Sequence, residues 1–269
     1  MRSLSPSGRG DGASAAGGVL IFTLGLMLGA CSEATDDVEP DSTGATSQVA
    51  HNVLTPSEVA DGWTLLFDGQ SIDQWRGYGR DDLPETWIVE EGQMTLRTSG
   101  GNMDGGDIVT RVEYTDFELT FDFKVGPSGN SGVFYRVREV DGKVLWQVAP
   151  EYQVLDDPAY PASEDWDPTA HRTGENYELH AAAERTVHPV GEWNSGRIVV
   201  DGNSVQHWLN GEMTVEYELY TEDWEARVAS GKFATEEHYA RASSGSIGLQ
   251  DHGTPVWYRN MKIRPLNGG

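Results

Sequence analysis

Glu151-Tyr152-Gln153-Val154-Leu155-Asp156 sets two carboxyls and an amide among apolar residues. On an extended strand successive side chains alternate between faces, so Glu151 and Gln153 project to one side and Tyr152 and Val154 to the other. Asp156 rejoins the polar side only if a bulge inserts an extra residue. Carboxyls transfer protons and amides pair with hydroxyls, a combination that sugar chemistry requires. The plainer alternative is a solvated outer face, which any half-buried strand displays. The segment alone does not choose between the two.

Neighbouring segments add groups. In Asn130-Ser131-Gly132-Val133-Phe134-Tyr135-Arg136, strand alternation puts Arg136 on the face of Phe134. An arginine beside a carboxylate holds it ionised or grips a ligand oxygen bidentately; its competing role is a structural ion pair. Leu249-Gln250-Asp251-His252-Gly253 ends an apolar run with an imidazole at a turn, where a histidine reaches solvent and titrates near neutrality, although a lone histidine is more often structural. His171, Glu178 and His180 lie close in sequence, but their spacing matches no metal-ligand motif, so neither a metal nor a cofactor is expected. Their segment reads as a long loop over the rim of the fold that offers Tyr177 as a ring to stack on a sugar. Trp146 and Trp166 are similar candidates, with core packing the commoner fate of any tryptophan.

These residues need strands to hold them. Phe117-Glu118-Leu119-Thr120-Phe121-Asp122-Phe123-Lys124-Val125 alternates throughout, which predicts an apolar face of five residues and a polar face of four. Trp87 to Leu96 reads as a hairpin turning at Glu91-Gly92, and Ile198 to Leu209 as one turning at Asp201-Gly202. Further strands are expected at Gly132 to Val137, Trp146 to Leu155, Ser246 to Gln250 and Val256 to Ile263. Thr221 to Phe233 departs from this pattern, with Trp224 and Val228 spaced for one face of a short helix. Short strands, Gly-rich turns and almost no helical period indicate an all-β sandwich of two antiparallel sheets.

Outside this region the chain changes character. Arg2 and Arg9 precede an apolar run from Val19 to Leu28, too short to span a bilayer and typical of an export signal. Leu28-Gly29-Ala30-Cys31 looks like a bacterial lipobox, with Cys31 as the lipid-carrying residue, and Cys31 is the chain's single cysteine. The expectation is a signal peptide over 1–30, an acidic disordered tether over 31–54 and one folded domain over 55–266, exported to the periplasm, outer membrane or cell surface and held at the membrane by its lipid alone. Without a second thiol there is no internal disulfide, so a packed core must supply the stability. Of the nine Trp, ten Tyr and seven Phe, all but Phe22 fall in the folded part. The formal net charge of −24 disfavours nucleic acid as a partner, because that recognition needs clustered basic residues.

The ordered series Leu65-Leu66-Phe67-Asp68-Gly69 with Trp75, Asn130-Ser131-Gly132, Glu151-Tyr152-Gln153-Val154-Leu155-Asp156, Gly191-Glu192-Trp193-Asn194, His207-Trp208-Leu209-Asn210-Gly211, Gly248-Leu249-Gln250-Asp251-His252-Gly253 and Arg259-Asn260 resembles the 3-keto-disaccharide hydrolase family. The resemblance covers nearly all of residues 61–266. It implies a concanavalin-A-like jelly roll with the site on its concave face and the strand of Glu151, Gln153 and Asp156 at its centre. It also implies hydrolysis of 3-keto-glycosides, with a sugar 3-oxidoreductase supplying the ketone. The same strand looks like the Glu-x-Asp-x-x-Glu strand of laminarinase-type glucanases, but here reads Glu151-x-Gln153-x-x-Asp156. Loss of the central carboxyl makes a two-carboxyl retaining mechanism doubtful. A ketone opens another route, because it acidifies the neighbouring C2 proton and one base can then expel the C1 substituent by elimination before water adds. On that route Glu151 or Asp156 is the base, Arg136 and Gln153 polarise the ketone and His252 is the acid, while Asn130, Tyr135, Tyr177 and Gln250 are further candidate substrate contacts. The competing readings are a non-catalytic carbohydrate-binding module and a glucanase acting on unmodified β-glucan.

Overall fold

A computed structural model describes residues 50–97, 106–163 and 167–266. In chain order its strands are β1 (Thr64–Leu65), β2 (Trp75–Gly77), β3 (Trp87–Glu90), β4 (Gln93–Leu96), β5 (Ile108–Thr110), β6 (Phe117–Val125), β7 (Asn130–Val137), β8 (Glu151–Leu155), β9 (Asn194–Asp201), β10 (Ser204–Leu209), β11 (Glu212–Glu218), β12 (Ser246–Leu249) and β13 (Val256–Pro265). A single helical turn, α1 (Pro56–Ala60), and a nine-residue helix, α2 (Glu222–Ser230), accompany them. The large antiparallel sheet runs β11-β10-β9-β6-β13-β4-β3, with β1 paired to β13; the small one runs β2-β5-β12-β7-β8. This is the all-β, two-sheet architecture expected from the alternation.

The core lies between the sheets. Phe117, Leu119, Phe121, Phe123 and Val125 of β6 are all buried, opposite Val133, Tyr152, Val154, Ile247 and Leu249 of the small sheet. Each such side chain contributes about 1.5–3 kcal/mol by leaving water. The hairpin between β3 and β4 turns through Glu91 (φ 51°) and Gly92 (φ 71°), both left-handed, as a two-residue turn requires. The β9–β10 hairpin turns one residue later than expected, through Gly202-Asn203, because Asp201 still pairs with Ser204. In α2, capped by the Thr221 hydroxyl, Trp224 and Val228 are buried together as their spacing predicts.

Four expectations change. The stretch from Trp146 to Leu155 is not one strand: Leu145–Gln147 closes a 3-10 turn, and β8 starts only at Glu151. The β8 strand ends the small sheet instead of lying at its centre. Its open edge is covered by a loop: Tyr177 N donates to Glu151 O (3.1 Å), Gln153 N to Glu175 O (3.1 Å) and Gly174 N to Gln153 O (2.9 Å). The folded part also starts before residue 55. Asn52 is buried and exchanges hydrogen bonds with Asn260, N to Oδ1 at 2.7 Å and N to Oδ1 in return at 2.8 Å. It supplies the partner that an irregularity in β13, between Arg259 and Lys262, leaves without a ladder bond. Finally, β7 bulges against β12: Ser246 faces Val137 and Gly248 faces Phe134, so Tyr135 and Arg136 together oppose Ile247, with Arg136 at φ 53°.

Candidate active site

On β8 the alternation holds. Tyr152 and Val154 point into the core, while Glu151 and Gln153 point to the outer face of the small sheet and line a cavity of about 420 Å³. That size suits a small-molecule site. Of the residues expected from sequence, Asn130, Tyr177, Gln250 and His252 line the same cavity, and Trp146 joins them.

Glu151, like Gln153, is buried. Its carboxyl lies over Gly132 of β7, where any Cβ would overlap it, so a glycine at that position is what admits the side chain. Burial pushes its pKa well above the usual carboxylate range; the charge of Lys232 opposes the shift, and Asp107 and Glu178 add to it. The Gln153 side-chain nitrogen donates to Asn130 Oδ1 (3.0 Å) and to Ser131 O (3.2 Å). Both its N–H groups are thus used by the protein, which leaves Gln153 Oε1 and Asn130 Nδ2 as a complementary acceptor and donor for a ligand hydroxyl.

Lys232 lies two residues past the end of α2, and its ammonium donates to Tyr177 Oη (3.1 Å) while standing 4.2 Å from the Trp146 ring centroid and 4.7 Å from that of Tyr177. Two aromatic faces and a phenol thereby hold one cation at the cavity. Tyr177 is steadied from behind by His171, edge-on at 5.0 Å, and His171 Nε2 pairs with Glu178 Oε1 at 3.1 Å. The partner raises the pKa of His171 and lowers that of Glu178, so this pair is ionic support for the ring. His180 stacks instead on Tyr217, with burial lowering its pKa to about 4.

A pair of carboxyls completes the lining. Asp107, just before β5, accepts a hydrogen bond from Asp251 N (2.9 Å), and burial raises its pKa to about 7, the bond from Asp251 opposing and the charge of Asp251 adding. Asp251, itself raised by burial, receives Gly253 N (2.9 Å) and the Thr86 hydroxyl (3.3 Å). Sequence reasoning missed Asp107, Asp251 and Lys232. Asp251 lay inside a segment already singled out. Lys232 follows Gly231, a helix-stop signal that would have placed it at a helix exit. Asp107 had only a Gly-Gly pair before it and a three-residue strand after it, too little pattern to read.

Three expected residues lie elsewhere. Arg136 is buried at the end of the sandwich, donating to Thr115 O (3.1 Å), Asp116 Oδ1 (3.2 Å) and Gly202 O (2.7 Å), because the β7 bulge turns it off the face of Phe134. Tyr135 points into the core, where its hydroxyl meets His207 Nε2 (2.9 Å) and the Tyr217 hydroxyl; burial lowers the His207 pKa to about 3 and keeps it neutral. Asp156 accepts from Ser128 N (2.8 Å) and borders a separate depression of about 660 Å³, no bulge having returned it to the side of Glu151. Cys31 and Trp166 fall outside the described residues.

The chain matches the model of the 3-keto-alpha-glucoside-1,2-lyase-like domain over residues 62–264. It is 34% identical over 231 residues to a 3-keto-disaccharide hydrolase of Bacteroides thetaiotaomicron, covering 77% of this chain and 80% of that protein. A solved structure from Parabacteroides distasonis, described as a candidate glycosyl hydrolase, is 36% identical and superposes with a TM-score of 0.74 over 81% of this chain and 100% of the other. A second structure from the same organism, described in the same way, is 26% identical with a TM-score of 0.56 over 76% and 99% of the two chains. Family model and relatives extend over the sandwich that carries the cavity, and the chain belongs to the 3-keto-alpha-glucoside-1,2-lyase-like domain family.

Proposed function

We propose that this protein cleaves 3-keto-glycosides by elimination across C1 and C2 followed by addition of water. The observation that carries the proposal is Glu151: a desolvated carboxyl on the floor of a sugar-sized cavity, beside a cation held by aromatic rings. Elimination from a 3-keto sugar asks for one base at C2–H and a positive group at the ketone oxygen. Burial makes the Glu151 carboxylate a stronger base than one in water, and the Lys232 ammonium meets negative charge as it grows on the ketone. Gln153 accepts from, and Asn130 donates to, the ring hydroxyls, and His252 stands at the exposed rim. Lys232 takes over the polarising role expected of Arg136 and Gln153, since Arg136 lies elsewhere and the Gln153 amide has no N–H to spare.

The ketone route also fits what β8 lacks. A retaining glucanase needs two carboxyls about 5–5.5 Å apart, yet Gln153 replaces the middle carboxyl and Asp156 borders a different depression. The ketone must come from oxidation at C3, so an oxidoreductase of that class is the functional partner. Export and lipidation at Cys31 belong to the same proposal.

The test is turnover in deuterated water. The folded protein should exchange the C2 hydrogen of a 3-keto-glucoside and release its aglycone, and Glu151→Gln should lose at least about 1000-fold of both. Binding without exchange or release would assign the site to a carbohydrate-binding module. Sugar released from unoxidised laminarin would assign it to a glucanase.

A further inference from the structure

We infer that Asp107 is the second proton-transfer group of this site, giving a proton to the C1 oxygen as the aglycone departs and taking one from the water that replaces it. The inference rests on the elimination reading above and adds to it the handling of the leaving group. Asp107 immediately precedes β5, and the Glu151 carboxyl lies over Gly132 on β7, with β12 between those strands. Two interstrand spacings of about 4.8 Å separate those strands, on the order of 10 Å, which the side chains partly close. That leaves room for the C1–C2 edge of a pyranose, with one carboxyl toward C2 and the other toward C1. The hydrogen bond from Asp251 N holds one oxygen of Asp107 in place, and Tyr78, Glu151, Lys232, Asp251 and His252 share the cavity with it.

The steps balance. Glu151 takes the C2 proton, and the electron pair of the C2–H bond forms an enolate with the C3 carbonyl. The enolate collapses to restore C3=O, a C1=C2 double bond forms, the C1–O bond to the aglycone breaks, and the Asp107 proton goes to the departing oxygen. Water then adds at C1 while the Asp107 carboxylate accepts its proton, and Glu151 returns its proton to C2. Product is the free 3-keto sugar, and both carboxyls are back in their starting states. Burial keeps the Asp107 proton available near neutrality, its pKa being raised to about 7. His252 stands exposed at the rim.

Leaving groups of different basicity test the assignment. With Asp107→Asn in deuterated water, exchange at C2 should stay within about five-fold of wild type. In a single turnover with protein in excess, before water addition can limit the rate, release of methanol from a methyl 3-keto-glucoside should fall at least about 100-fold, and release of 4-nitrophenolate, which departs without a proton, by less than about five-fold. Equal losses with the two aglycones, or no loss with either, would overturn the inference, as would the same selective loss in His252→Gln with Asp107→Asn unaffected. A second measurement needs no variant. In wild type, methanol release relative to nitrophenolate release should fall as pH rises through about 7, and a flat ratio would overturn the inference. If wild-type protein neither exchanges nor cleaves any 3-keto-glucoside, the elimination reading itself has failed, which is a different result from an active enzyme blind to its leaving group.

Discussion

A carboxyl that must pull a proton from carbon works best where water solvates it least, and Glu151 occupies such a place only because residue 132 has no side chain. Gly132→Ala should therefore act as a displacement of the base. The new methyl forces the carboxyl aside, and turnover should fall about 100-fold, the usual consequence of misplacing a reacting group by an ångström. A circular-dichroism melt would check that the sandwich still forms, and unchanged turnover would show that the carboxyl does not work from this position. Burial of Glu151 also works against the fold. Its pKa is raised above 4.5 chiefly by desolvation, so unfolding releases a proton at any pH between 4.5 and the raised value, and stability falls as pH rises through that window. Glu151→Gln removes this penalty. The variant should melt about 5 °C above wild type at pH 8, with the gap closing near pH 4, where both states hold the proton. Melting curves over that range decide it, and an unchanged or lower melting point at pH 8 contradicts the burial argument.

At the scale of elements, two irregularities set the site. The loop that covers the edge of β8 pairs its backbone with Glu151 and Gln153, and that pairing brings Tyr177 beside Glu151. Helix α2 buries Trp224 and Val228, and the chain leaves it at Gly231 with Lys232 directed to Trp146 and Tyr177. The bulge in β7 does the reverse for Arg136, taking it from the cavity face to a structural post. Arg136→Ala leaves the Thr115 and Gly202 carbonyls and the Asp116 carboxylate short of a buried donor, and should cost about 3 kcal/mol of stability. Urea titration gives that number, and turnover per folded molecule should stay at the wild-type level. A stable but inactive variant would return Arg136 to the site. Alternation alone placed Glu151, Gln153, Tyr152 and Val154 correctly, because a regular ladder obeys period two. Arg136 was misplaced, because a one-residue bulge reverses that period and leaves no mark in composition.

For the whole molecule, the sheets supply a rigid platform that carries Glu151, Gln153 and Asn130, and the segments around it bring Asp107, Tyr177 and Lys232 to the same cavity. Among the described residues no helix is long and apolar enough to cross a membrane. The proposed lipid at Cys31 has its own test. Cys31→Ser should abolish incorporation of labelled fatty acid in the expressing bacterium and move the protein out of the membrane fraction. Persistent labelling would remove that reading without touching the enzyme.

By itself the sequence determined the all-β class, the two-sheet core, the helix over Trp224 and Val228, and the common face of Glu151 and Gln153, because local periodicity and turn residues act over a few positions. Tertiary structure decided which charges complete the cavity. Asp107, Lys232 and Asp251 come from just before β5, from the exit of α2 and from the loop after β12, and only the order of strands in the small sheet and the packing of α2 bring them to Glu151. Their proton affinities follow from the same cause, since desolvation and neighbouring charge belong to a place in the fold and not to a position in the chain.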